Sequence, residues 1–195
     1  MSSVVISGDT SGAITVLAPA VSGTNTLTLQ AGTATNSMNT LATAVASTSG
    51  TSIDFTSLPS WIKRITVMFS GVSLSSTASI LIRVGSGSTT SSGYVGYHFI
   101  QQGSGTPLVS AETTGFLVRT NSAASVAHGK LSIDLINGNT YVASGTFVGL
   151  SGASVATFWG TGGTIALGGV LDRVVITSSS TDTFDAGTIN ILYEG

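Results

Sequence analysis

Apolar and polar residues alternate along most of this chain with a period of two. The clearest case is Trp61-Ile62-Lys63-Arg64-Ile65-Thr66-Val67-Met68-Phe69-Ser70-Gly71. Ile65, Val67 and Phe69 fall on one side of an extended segment, and Arg64, Thr66, Met68 and Ser70 fall on the other. That is the pattern of a half-buried β-strand. The same reading predicts strands over 52–55, 61–72, 79–84, 94–100, 116–119, 130–136, 140–150, 154–159, 164–167, 171–177 and 188–193. Asn137-Gly138 between two such runs predicts a tight hairpin. Gly85-Ser86-Gly87-Ser88 reads as a hairpin loop and opens a flexible run to residue 93. No helix of ordinary length is predicted.

Before residue 51 the pattern is weaker. Val4-Val5-Ile6, Ala13-Ile14-Thr15-Val16-Leu17 and Thr26-Leu27-Thr28-Leu29 read as short strands separated by Ser/Gly/Asn turns. Ordering about 40 such residues costs on the order of 40–80 kcal/mol of backbone entropy. Burial at roughly 25 cal/mol per Å² offsets that only against a large partner surface. Residues 36–50 form a low-complexity Ser/Thr/Ala bridge, in which Leu41-Ala42-Thr43-Ala44-Val45-Ala46 reads as a strand. The expected fold class is all-β. It has an extended β-arm at 1–35, a linker at 36–50 and an antiparallel, jelly-roll-like β-sandwich at 51–195.

Composition sharpens this picture. Of 195 residues, 7% are charged, where about 25% is usual. With a net charge of −2, little keeps copies apart, so much of the surface is expected to lie against other copies. A mean hydropathy of +0.47 argues against disorder. The 25 glycines and few helix formers agree with strands and turns. The chain has no cysteine, hence no disulfide frame and no thiolate metal site. Met1-Ser2-Ser3 lacks a basic leader, so no secretory signal is expected. The apolar run at 13–21 is broken by Thr15 and Pro19 and falls short of the roughly 20 residues that span a bilayer, so no membrane insertion is expected. The six Lys and Arg are scattered, which argues against nucleic acid.

Catalytic constellations are absent from the sequence. No serine has glycine at both −2 and +2, so there is no nucleophile elbow. His98 and His128 lack metal-ligand spacing and read as structural. Asp182 and Asp185 could pair as glycosidase acids or bind calcium, but they sit in a Thr- and Gly-containing segment that favours turn hydrogen bonds. Tyr94, Tyr97, His98 and Phe99 could stack on a sugar ring, or serve core and interface. Trp61 and Trp159 read as core or subunit contact. Lys63-Arg64 and Asp172-Arg173 read as solvent-facing or as partners across a subunit boundary. No enzymatic activity, cofactor, metal or catalytic residue is expected.

Three stretches carry a family resemblance. Ile6-Ser7-Gly8-Asp9-Thr10-Ser11-Gly12, followed by Pro19-Ala20-Val21-Ser22-Gly23-Thr24-Asn25-Thr26-Leu27-Thr28-Leu29, resembles the N-terminal segment of many tailed-phage virion proteins. Ser60-Trp61-Ile62-Lys63-Arg64-Ile65-Thr66-Val67-Met68-Phe69-Ser70-Gly71-Val72 resembles the opening of a domain common at the C-terminal end of such fibres. Phe184-Asp185-Ala186-Gly187-Thr188-Ile189-Asn190-Ile191-Leu192-Tyr193-Glu194 resembles its closing strand. The resemblance implies a homotrimeric virion protein, made in the host cytoplasm, whose arm docks on other virion proteins of the tail or capsid. Its sandwich would project for adhesion, with a host surface glycan as a possible partner. Two alternatives stand beside this short fibre: a capsid decoration or cement protein, and a carbohydrate-binding module that uses Tyr94, Tyr97 or Trp159.

Overall fold

The computed structural model describes residues 3–7, 13–17, 39–118, 120, 122–152 and 154–195. They contain no helix, and every strand pairing is antiparallel. The chain divides into two units, Met1–Ser37 and Met38–Gly195. In the first, β1 (Ser3–Ser7) and β2 (Ala13–Leu17) form a two-stranded sheet in register from Ser3 opposite Leu17 to Ser7 opposite Ala13. The strand predicted at 26–29 lies outside the described residues.

The second unit holds fourteen described strands. These are β3 (Asn39–Leu41), β4 (Val45–Ala46), β5 (Ser52–Phe55), β6 (Arg64–Leu74), β7 (Ile80–Ser86), β8 (Ser88–Thr89) and β9 (Val95–Gln102). There follow β10 (Leu108–Glu112), β11 (Phe116–Val118), β12 (Val126–Asn137), β13 (Thr140–Ser151), β14 (Val155–Ala166), β15 (Arg173–Ser178) and β16 (Phe184–Glu194). A small sheet runs β5-β15-β7-β11, with β8 beside the end of β7. A large sheet runs β10-β9-β14-β13-β12-β6-β16, with β3 and β4 on the outer edge of β16.

This order is a jelly roll with one substitution. In an eight-stranded jelly roll, strands 1-8-3-6 form one sheet and 2-7-4-5 the other. The small sheet, β5-β15-β7-β11, is 1-8-3-6. The large sheet, β6-(β12-β13-β14)-β9-β10, is 2-7-4-5 with the seventh strand replaced by a three-strand meander. An odd number of antiparallel strands preserves the chain direction, so the rest of the topology is undisturbed. β16 is then added outside β6.

Alternation places the core between the sheets. Ile65, Val67 and Phe69 of β6 are buried with Leu131 and Ile133, Phe147, Trp159, Ile189 and Ile191 from their neighbours. Ile80, Ile82, Val84, Phe116, Val174 and Ile176 meet them from the small sheet. Phe69 and Phe147 pack with ring centroids 5.0 Å apart.

Several boundaries differ from the sequence reading. Trp61 and Ile62 lie in a turn, and the strand predicted at 61–72 begins at Arg64 and continues to Leu74. The segments predicted separately at 154–159 and 164–167 form one strand. Gly160 to Gly163 do not interrupt it, because β13 and β9 hold both its edges. Gly163 is at φ +150°, and a Cβ there would stand 2.1 Å from the Val95 carbonyl oxygen. The strand β10 was not predicted, since Leu108-Val109-Ser110-Ala111-Glu112 barely alternates. In the expected linker, residues 39–41 and 45–46 are edge strands of the large sheet. Ala42 N–H donates to the Ile191 carbonyl (2.9 Å), and Ser47, fully buried, donates through Oγ to the Ala186 carbonyl (2.8 Å). Ala42 and Val45 from this stretch pack against the core. The sandwich unit thus starts near residue 38, earlier than the boundary at 51. The predicted hairpin forms, with Gly138 at φ +51° between the paired Asn137 and Thr140.

Candidate interaction surface

The residues singled out for chemistry are dispersed by this topology. His98 points from β9 into the sandwich and is buried, whereas His128 is exposed on the outer face of β12. β14 and β13 lie between them, and His98 is in register with Leu131 rather than His128, so the two backbones are roughly 17 Å apart at ~4.8 Å per strand and ~3.3 Å per residue. His128 Nδ1 accepts the Gly71 N–H at 3.1 Å. Asp182 accepts the Ala78 N–H at 2.7 Å, and Asp185 accepts a hydrogen bond from Ser73 Oγ. Each carboxylate fastens a strand-end segment rather than facing the other across a cleft. Among the described residues, no three His, Cys, Asp or Glu side chains gather as a metal site, and no helix is long and apolar enough to cross a membrane.

The aromatics divide by strand parity. Tyr94 and Trp159 are buried, at 2% and 1% exposure, so neither can line a sugar groove; Tyr97 remains exposed. Tyr94 fills a gap in the small sheet. β11 pairs with β7 over 80–82 and β8 over 85–86, leaving Val84 between them. The Val84 N–H donates to the Tyr94 hydroxyl at 2.9 Å, and that hydroxyl donates to the Thr90 carbonyl at 3.1 Å. Burial pushes the phenol pKa up to about 12. Trp61 is half-exposed and packs on Tyr193 with centroids 5.8 Å apart.

Two of the basic residues, Arg64 and Arg173, are ion-paired within the chain. Arg64 Nε lies 2.5 Å from Asp134 and its Nη1 3.7 Å from Glu194, a row across β12, β6 and β16. An open cleft of about 420 Å³ lies beside this row, and its arginine is already neutralised. Burial raises the Asp134 pKa, but the hydrogen bonds from Arg64 and Ser132 and the Arg64 charge together outweigh it and hold the carboxyl below its ordinary range. Arg173 pairs with its neighbour Asp172, which also accepts the Gly87 N–H at 2.9 Å.

What remains is the outer face of β10, β9, β14 and β13. Val109, Tyr97, Phe158, Val148 and Leu150 stand on it with substantial exposure. Phe99 and Phe158 meet edge to face at 6.1 Å. No Asp, Glu, Lys or Arg points outward from these four strands. The outward Gln101 amide is spent on the adjoining loop, donating to the Gly103 and Gly105 carbonyls at 2.9 and 2.8 Å. Sequence reading singled out Tyr97 and Phe99 for a sugar or an interface but not Val109, Phe158, Val148 and Leu150, because the pairing of β9 with β14, far apart in the chain, brings them together. No protein family, curated protein or solved structure matches the chain.

Proposed function

We propose that this chain is a structural component of a tailed-phage virion. It would be a short trimeric fibre anchored through residues 1–35, with its jelly roll displayed for adhesion or surface projection. The observation that carries the reading is the separate N-terminal unit, whose five-residue strands β1 and β2 make a two-stranded sheet of their own. Such a hairpin is marginally stable alone in water. It gains stability by adding its edges to another protein's sheet or to sister arms. The resemblance of the stretches at 6–12, 19–29, 60–72 and 184–194 to phage fibre segments supports the same assignment, as does a charged fraction of 7%.

Cryo-electron microscopy of particles with and without the protein tests it. The expected result is density at the tail or at one vertex, in multiples of three. Density across the capsid lattice in many copies would make it a decoration protein instead. Absence from purified particles would overturn the virion assignment. A chain lacking residues 1–35 is expected to fold but to be missing from particles.

A further inference from the structure

We infer that the outer face of β10, β9, β14 and β13, together with the free edge of β10, binds a second copy of this chain. The inference names the subunit contact within the proposed oligomer and rests on that reading.

Three observations select a copy over another partner. The first is charge. In a trimer whose subunits turn this face toward the threefold axis, side chains near the axis lie close to their own equivalents, so a charge there would face like charges. The outward positions of the four strands carry none. The other half of the same face, on β12, β6 and β16, carries Lys130, Asp134, Arg64 and Glu194. Even Glu112 at the end of β10 is engaged locally, accepting from Thr114 Oγ1 at 2.6 Å and from the Thr113 and Thr114 N–H groups. The second is the edge. β3 and β4 cover the β16 edge of the large sheet, whereas β10 is its other, unpaired edge among the described residues. Isolated proteins protect such edges with lysine, proline or a bulge. β10 contains neither residue, with Pro107 just before it and Glu112 only at its far end, and its register with β9 is unbroken from Leu108 to Glu112. The third is size. Strands of 5, 8, 12 and 12 residues give a footprint of roughly 500–600 Å² at ~3.3 Å per residue and ~4.8 Å per strand. Side-chain relief raises the accessible area above that footprint, toward the ~800 Å² per partner of a stable interface.

Light-scattering mass of the full chain tests this, using wild type, Val109→Lys, Val148→Lys, the double variant, and Leu41→Lys on the opposite edge as control. All three positions are exposed. Circular dichroism with a thermal melt checks that each variant folds. The expected outcome is a wild-type mass that is a multiple of 19.4 kDa. The double variant should run at one chain's mass with its β spectrum and cooperative melt retained, and Leu41→Lys should match wild type. A monomeric wild type, a double variant that keeps the wild-type mass, or equal dissociation by Leu41→Lys would overturn the inference. So would a monomer that binds immobilised polysaccharide through Tyr97 and Phe158. A trimer that survives the double variant would refute this surface and leave the fibre reading standing. Absence from particles would refute the fibre reading whatever the mass.

Discussion

The two sheets of the jelly roll treat their outward apolar residues in opposite ways. On the small sheet, Leu81, Leu117 and Val175 point away from the core yet are only 2%, 7% and 8% exposed. The chain covers part of this face itself: Gly115 lies against the Leu81 and Arg83 side chains, and Arg83 Nε donates to the Thr114 carbonyl at 2.7 Å. On the large sheet, Val109, Tyr97 and Val148 are 64%, 59% and 52% exposed, with no such covering segment among the described residues. A fold that shields one outer face with its own loop and leaves the other bare has a surface suited to another molecule.

Four predictions, from largest effect to smallest, press on that contrast. The adjacent residues Trp159 and Phe158 face opposite sides of β14. Trp159→Ala should cost about 3–5 kcal/mol in urea unfolding, by loss of burial and creation of a cavity. Phe158→Ala should cost less than about 1.5 kcal/mol, the scale of its ring contact with Phe99. Equal losses would mean that the outer face is core.

Next come the outer faces themselves. Leu81→Ala should cost about 2–5 kcal/mol because its site is closed. Val148→Ala should stay within about 0.5 kcal/mol for the single chain. Compared at one protein concentration below self-association, similar values for the pair would erase the difference between the sheets.

Tyr94→Phe should cost about 1–3 kcal/mol, since it strands the Val84 N–H in the gap between β11 and β8. It also has a pH signature. The folded phenol titrates near 12 and the unfolded one near 10, so the folded state holds its proton more tightly. The contribution is complete below pH 10 and is lost as pH rises toward 12, by roughly 2–3 kcal/mol. The wild-type unfolding midpoint should fall across that window, and the variant's should fall less.

The smallest effect is expected at the exposed ion row. Arg64→Met should shift the midpoint less than any change above. The Asp134 carboxyl is held below its ordinary pKa, so its contribution is present at neutral pH and lost as pH falls through the folded value. Acid titration of the variant should lack that component, and an unchanged acid profile would show the pair to be energetically silent.

Strand parity was legible where one face is buried and the other wet, as at Ile65, Val67 and Phe69, because burial is then written residue by residue. It failed for β10, an edge strand exposed on both sides, and for the glycines of β14, whose pairing on both edges outweighs their weak local preference. The Ser/Thr/Ala stretch at 39–47 read as linker because nothing local marks β16 as its partner. For the site, Tyr94, Tyr97 and Trp159 looked alike in the sequence. Only register distinguishes Tyr97, facing out, from Trp159 on the core side, and only the break between β11 and β8 gives Tyr94 its place.

The sequence by itself determined the all-β class, the hairpin at Asn137-Gly138 and the alternation that buries the β6 core, since each depends on neighbours in the chain. Tertiary structure alone decided the jelly-roll order, the opposite orientations of His98 and His128, and the uncharged face. Those depend on which distant strands lie side by side, and the bonds that fix this join backbone groups that every residue shares.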